Sequence, residues 1–201
     1  MKGAESKNEQ LSSQLLVNDF QQAFYMLRHY DDVNWTLTKF AFGQVLASLG
    51  ACWTIYYKSC ELTDNKVLQE YSMIGIILIL LLSAGFSLMT IIAICKNRSY
   101  FVKVSRYVNE HRNFALECKK DVFFNISEMW NNPRYPKVKD WGSTQMICLY
   151  LLCSCYFLEL ILASSLILVM GFCFCKLTIV IGLFLLASII CVKTIYQILV
   201  E

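Results

Sequence analysis

The chain has 201 residues, of which 57% are hydrophobic and only 16% are charged, and its net charge is +3 at pH 7. Soluble domains average about half apolar and about a quarter charged residues, so this is not an ordinary soluble composition, and the small positive charge does not by itself indicate nucleic-acid binding. The apolar excess lies in runs of about twenty residues, which is typical of membrane-spanning helices.

The N-terminal segment, residues 1–34, predicts a cytoplasmic amphipathic helix. Apolar side chains recur at helical spacing at Leu16, Phe20, Phe24 and Leu27. We expect a break at "DDVN" (31–34), and no cleavable signal peptide, because no apolar core precedes a small-residue cleavage site. The polar face carries little lysine, which favours packing on other cytoplasmic parts over binding to anionic lipid.

Four apolar runs pair into two predicted transmembrane hairpins, residues 35–95 and 146–201. Each run has about 22 residues, which at about 1.5 Å per residue gives about 33 Å, enough to cross a bilayer. The predicted spans one to four run approximately Trp35–Tyr57, Met73–Ile94, Met146–Val169 and Leu177–Leu199.

Lysine and arginine predict the orientation of these spans. Thirteen of them lie before span one or between spans two and three, whereas only Lys58, Lys66 and Lys176 lie on the other side. The positive-inside rule therefore places both termini and the central segment in the cytoplasm.

The central segment, residues 96–145, predicts a cytoplasmic helix that continues span two, followed by an aromatic loop with both prolines. A solvated loop does not need so many rings, so we expect packing on the cytoplasmic helices or on a soluble protein partner. The candidate partner-binding residues are Trp130, Tyr135 and Trp141. The predicted fold is all-α, a four-pass transmembrane helical bundle with a small helical cytoplasmic module.

Glu159 stands in the middle of span three, in "CYFLELILASS" (Cys155–Ser165). It lies about 20 Å from either end of the span, and Lys193 lies at a similar depth in span four. An isolated charge there costs from about 3 to over 10 kcal/mol, so we predict a Glu159–Lys193 pair facing the bundle, which Gln44 of span one can join. The pair is either a structural clamp or a polar lining for ions or protons. The third alternative is a protonated Glu159 that leans toward lipid.

Most of the ten cysteines lie inside spans, where thiols act as small apolar residues. Cys60, Cys173 and Cys175 fall at the predicted outer face, where an oxidising compartment can pair them. No zinc-ligand spacing, phosphate loop, serine-nucleophile motif or haem-attachment motif occurs. We therefore expect no metal and no cofactor.

The segment "RYVNEH" carries Arg106 and, five positions later, His111. This spacing resembles the active site of HEPN ribonucleases, in which two chains bring their motifs together over an RNA phosphate. Tyr107 stands where those enzymes carry a polar residue. His111 also lies on the apolar stripe of the helix, where a packing role is the ordinary outcome. With this motif, the predicted layout resembles small multi-pass membrane proteins of prokaryotic antiviral defence loci, such as the membrane proteins beside RNA-targeting CRISPR systems. This resemblance implies a prokaryotic inner (plasma) membrane.

Small residues in "ASLGA" (Ala47–Ala51) and "SAGFS" (Ser83–Ser87) suit close helix contact and favour a homo-oligomer. We expect a non-enzymatic, channel-like effector or sensor that is coupled to a soluble cytoplasmic partner, in line with the resemblance to antiphage proteins. The first alternative is a membrane-anchored HEPN-like ribonuclease, which would also bind nucleic acid. The second is a passive membrane anchor for a partner protein.

Overall fold

The computed structural model describes residues 2–61, 66–117, 132, 134–140, 142–170, 188, 189, 193 and 195–197, with side chains from Ser13 onward. Helix α1 spans Lys2–Glu61, helix α2 spans Lys66–Glu117 and helix α3 spans Thr144–Val169. Residues 188, 189, 193 and 195–197 are also helical, and no β-strand occurs in the described ranges. The all-α prediction is confirmed for this part of the chain.

Predicted spans one, two and three lie inside α1, α2 and α3, whereas most of span four lies outside the described residues. By length and composition, α2 and α3 are apolar enough to cross a membrane. Helix α1 does not meet the same criterion, because its span segment includes polar residues such as Gln44 and Ser48. Two described helices therefore have the character of membrane spans.

Helix α1 runs through residues 31–34 without the predicted break and reaches 60 residues in length. None of these four residues is glycine or proline, so the backbone can continue as a helix. Asn34 is buried, and its side chain does not cap a new helix. Instead, Asn97 Nδ2 donates to Asn34 Oδ1 at 2.8 Å and to the Tyr30 carbonyl at 2.7 Å. Asn34, which was expected to lie in the break, thus contacts α2.

The chain divides into two compact units. Unit 1 comprises Met1–Asn34 and Asn97–Asp140, and unit 2 comprises Trp35–Lys96 and Trp141–Glu201. In unit 2, buried side chains of the described helices form three hydrophobic clusters, of which one joins α1, α2 and α3 around Ala41 and Leu152. Its members include Ala41, Ala84, Ile91, Ile94, Met146, Leu149, Leu152 and Tyr156. The alanines at 0% and 1% exposure lie where only a small side chain fits between helices.

Unit 1 pairs the first half of α1 with the second half of α2 and with residues 132–140. Polar side chains of α2 hold this loop by its backbone carbonyls. Arg98 Nη2 donates to Lys137 O at 3.2 Å, and Asn109 Nδ2 donates to Asn132 O at 3.2 Å and to Tyr135 O at 2.7 Å. The Tyr135–Pro136 peptide bond is cis. The described part of the aromatic loop is thus ordered against α2.

Candidate functional site

Five polar side chains from three helices meet inside unit 2, and we call them the Glu159 cluster. Gln44 and Ser48 come from α1, Ser83 and Ser87 come from α2, and Glu159 comes from α3. The two residues of each pair are four positions apart, so each pair lies on one helical face. The bundle brings the two faces and the carboxyl together.

Hydrogen-bonding distances connect all five members. Ser87 Oγ lies 3.3 Å from Glu159 Oε2, and the hydroxyls of Ser83 and Ser48 lie within hydrogen-bonding distance of Glu159 Oε1. Ser83 Oγ is 2.9 Å from Ser48 Oγ, and Gln44 Nε2 donates to Ser83 Oγ at 2.7 Å. Ser83 is therefore the centre of the cluster.

The centre of the cluster is deeply buried: Glu159, Ser83 and Ser87 are 1%, 3% and 0% exposed, whereas Gln44 and Ser48 are half-buried. A buried carboxyl group needs hydrogen-bond partners, because desolvation without them is costly. Here three hydroxyl groups supply those partners.

The expected ion pair with Lys193 is not among the contacts of the described residues. Glu159 has hydroxyl partners, and the Lys193 side chain is exposed. The depth of Lys193 was inferred from helical rise, but depth alone does not fix the direction in which a side chain points. The structure thus brings Glu159 and Gln44 together through Ser83.

Sequence reasoning found the carboxyl and Gln44 but missed the three serines. Ser83 and Ser87 were interpreted only as small residues for helix contact. The available signal was their spacing, because hydroxyls four positions apart in an apolar helix form a polar stripe that needs a partner. Gln44 Oε1 is buried and has no hydrogen-bond partner, so one acceptor of the cluster receives no hydrogen bond.

The other predicted site residues are dispersed. Tyr135 is 53% exposed, and its hydroxyl lies 3.2 Å from Asp140 Oδ2. Cys60 is an exposed free thiol. Trp130, Trp141, Cys173 and Cys175 lie outside the described residues. Among the described residues, no group of three or more His, Cys, Asp or Glu side chains is placed to hold a metal ion.

Arg106 and His111 have separate packing contacts in unit 1. Arg106 Nε donates to the Pro136 carbonyl at 3.3 Å. The His111 ring packs edge-on against Tyr107 and Phe20, with centroid distances of 4.5 Å and 6.1 Å, and its Nε2 is buried without a hydrogen-bond partner. Five positions on a helix separate two side chains by about 140°, so the pair does not share one face of α2.

We expect His111→Ala to lower the free energy of unfolding by about 1–2 kcal/mol, because each lost ring contact contributes about 0.5–1.5 kcal/mol. Unfolding of the purified full chain measures this, with Glu110→Ala, at an exposed neighbouring position, as the control. The ribonuclease alternative predicts a different pattern. In that case, Arg106→Ala and His111→Ala abolish the cellular effect of the protein while its amount and stability stay unchanged.

No protein-family model matches the chain, and neither a curated protein nor a solved structure gives a significant match.

Proposed function

We propose that this chain is a four-pass integral membrane protein of the plasma membrane, with both termini and unit 1 in the cytoplasm. We further propose that it works as an oligomeric, channel-like effector or sensor coupled to a soluble partner. The observation that carries the proposal is the distribution of side chains in unit 2, which exposes large apolar residues on all three helices and buries a carboxyl with its hydroxyl partners within an otherwise apolar core.

The surface of unit 2 exposes large apolar side chains on all three helices. Leu46 is 70% exposed on α1, Met89 is 70% exposed on α2 and Ile161 is 64% exposed on α3. Monomeric soluble proteins rarely expose contiguous apolar patches of this kind. A bilayer accepts such a surface, whereas it strongly disfavours unsatisfied polar groups, which here are gathered inside. This distribution supports membrane insertion of α1 as well as of α2 and α3.

A stripe of small residues on α1 supports the oligomer. Gly43, Ala47, Gly50 and Ala51 are all exposed, and a Cβ added to either glycine would meet nothing within 4 Å. Nothing within the described chain therefore requires glycine there. A second copy packing closely on α1 would supply the reason, because small residues let membrane helices approach each other.

The exposed Lys193 supports a polar path between copies. A lysine deep in a span is costly in contact with lipid and normally faces a bundle interior or a water-filled cavity. In an oligomer, an exposed Lys193 could line such a cavity.

The proposed site for the soluble partner is a groove of about 370 Å³ in unit 1, lined by residues that include Met26, Lys103 and Tyr107. The resemblance of the predicted layout to membrane proteins of antiviral defence loci supports a role in antiviral defence.

The topology is tested by labelling cysteines in intact cells with a membrane-impermeant maleimide after mild reduction. We expect labelling of the natural chain through Cys60, Cys173 and Cys175, and none in Cys60→Ala/Cys173→Ala/Cys175→Ala. Cys118 should react only after the cells are permeabilised. The chain should also stay in the membrane pellet after an alkaline carbonate wash. Labelling of the triple variant from outside, or its release by carbonate, would contradict the proposal.

Gly43→Leu should convert the oligomer to a monomer of 23.2 kDa, because the larger side chain separates the two α1 stripes. Leucine is a better helix former than glycine, so folding of the single chain should not suffer. Light scattering coupled to size-exclusion chromatography in mild detergent measures the mass. Gly85→Leu makes the same change on α2, where a Cβ also meets nothing, and should keep the oligomer. An oligomeric mass for Gly43→Leu would rule out the α1 stripe as the interface, and a monomeric mass for both variants would place the interface on α2 as well.

A further inference from the structure

We propose that the Glu159 cluster is a proton-binding site, and that this packed conformation of unit 2 is the proton-bound one. The reason is that the hydrogen bonds of the cluster require one more hydrogen atom than is present when Glu159 is ionised. It depends only on contacts within unit 2, so it stands independently of the number of membrane spans and of the oligomer.

Three oxygen–oxygen contacts follow one another across the cluster. The Glu159 carboxyl contacts Ser83 Oγ, Ser83 Oγ lies 2.9 Å from Ser48 Oγ, and Ser48 Oγ lies 2.8 Å from the Val45 carbonyl oxygen. Oxygen atoms approach this closely when one hydrogen lies between them. The row therefore requires three hydrogens.

Two serine hydroxyls supply only two hydrogens, because each hydroxyl donates once. The amide of Gln44 does not supply the third, since its hydrogens point to Ser83 Oγ and to the Ser83 carbonyl, at 2.7 Å and 3.3 Å. The Ser87 hydroxyl does not supply it either, because it faces the other carboxyl oxygen at 3.3 Å. If Glu159 were ionised, one pair of oxygens would face each other with no hydrogen between them.

A proton on Glu159 completes the row. The carboxyl then donates to Ser83 Oγ, Ser83 donates to Ser48 Oγ, and Ser48 donates to the Val45 carbonyl. Ser83 Oγ accepts from both Glu159 and Gln44, which fills its two lone pairs. The distances agree with this direction, because Ser48 Oγ is closer to Val45 O, at 2.8 Å, than to Glu159 Oε1, at 3.3 Å.

In the described part of the chain, no cationic side chain forms an ion pair with the Glu159 carboxyl. On α1 the titratable neighbour that interacts with Glu159 is the Cys52 thiol. On α2 the facing groups are the hydroxyls of Ser83 and Ser87, and Lys193 of the last span is exposed.

The row ends on a backbone carbonyl, which cannot pass a proton onward. The cluster is therefore a holding site and not a relay, and its proton links α1, α2 and α3. Loss of the proton would leave a buried charge and one repulsive oxygen pair, so the ionised form would favour a different packing of the three helices. The proton thus acts like a ligand that binds the packed conformation and stabilises it.

Infrared spectroscopy of the full chain in lipid nanodiscs at pH 7 tests the assignment, because a protonated carboxyl has a carbonyl stretch that a carboxylate lacks. We expect a band equivalent to one carboxyl per chain. Glu159→Gln, which is neutral and keeps the shape and a donor for Ser83, should abolish it. Glu70→Gln, at an exposed position, should keep it. Absence of the band in the natural chain, or its persistence in Glu159→Gln, would overturn the proposal.

Two further measurements test the hydrogen count and distinguish a bound proton from a bound metal cation. Ser48→Ala should reduce the band at the same pH, because the Ser83 hydroxyl is then free to donate to an ionised carboxylate. An unchanged band in this variant would contradict the hydrogen count. Replacing potassium chloride by sodium chloride at equal concentration should leave the band unchanged. Its loss in sodium would mean that a metal cation displaces the proton, and the assignment of the site to protons would fail.

Discussion

Ser83→Leu is expected to lower the free energy of unfolding by about 3–5 kcal/mol, the largest effect of a single change in the Glu159 cluster. The substitution removes the hydroxyl at the centre of the cluster, which contacts Gln44, Ser48 and Glu159. Leaving a buried polar group without a partner costs about 1–3 kcal/mol. Forcing a larger side chain into a position that is 3% exposed adds about 1–3 kcal/mol of overpacking.

The two contributions can be separated by matched variants in the same unfolding experiment on the full chain in detergent. Ser83→Ala removes the hydroxyl without overpacking and should cost about 1–3 kcal/mol. Ser154→Leu makes the same change at an exposed position whose hydroxyl bonds only the Tyr150 carbonyl of its own helix. It should alter stability by less than about 0.5 kcal/mol. If Ser83→Leu behaved like Ser154→Leu, the cluster would not contribute to the stability of unit 2.

The sequence predicts those features of unit 2 that depend on distance along a helix. Runs of apolar residues predict that α2 and α3 are apolar enough to cross a membrane. The rise per residue of a helix places Glu159 deep in α3. Rotation about the helix axis is a different quantity. The sequence alone did not show that Ser83 and Ser87 would face Glu159, or that Lys193 would be exposed at its own depth. For this reason the sequence pointed to Glu159 and to a residue at its depth, and the hydroxyl groups that contact the carboxyl in the described residues were not among the predicted partners.

The organisation of unit 1 was harder to predict, because its loop is held through backbone carbonyls. Every residue carries a carbonyl, so no sequence pattern marks Asn132, Tyr135 and Lys137 as acceptors. The donors, Arg98 and Asn109, look like ordinary polar residues of a cytoplasmic helix. Burial distinguishes them, at 3% and 4% exposure, and burial depends on the tertiary fold. The absence of a break in α1 also depends on the tertiary fold, because Asn34 Oδ1 accepts a hydrogen bond from Asn97 of α2.

Arg98→Ala should destabilise unit 1 by about 3 kcal/mol and release residues 132–140 from α2. The guanidinium donates to Lys137 O at 3.2 Å and lies 5.3 Å above the Phe101 ring. A hydrogen bond from a charged group contributes about 1.5–3 kcal/mol, and a cation–π contact contributes about 0.5–2 kcal/mol.

The electrostatics of unit 1 act on the stability effect of this substitution in both directions. Burial lowers the pKa of Arg98, and the charges of Asp140, Tyr135 and Asp31 act in the opposite direction. Arginine stays charged in proteins, so the alanine variant removes a buried cation that these acidic groups surround. The two aspartates then lose an attractive neighbour, but the burial of the cation is relieved at the same time, and burial is the larger influence on the pKa of Arg98. The expected loss of stability therefore comes from the direct contacts.

Limited proteolysis of the full chain, together with thermal unfolding, measures both parts of this prediction. In Arg98→Ala, cleavage within residues 132–140 should become faster than in the natural chain. Arg134→Ala is the matched control, because it removes an arginine whose side chain is exposed in the same loop and should change stability by less than about 0.5 kcal/mol. Equal cleavage rates in the two variants would mean that Arg98 does not hold the loop. Asn109 Nδ2, which donates to both Asn132 O and Tyr135 O, would then be the principal anchor.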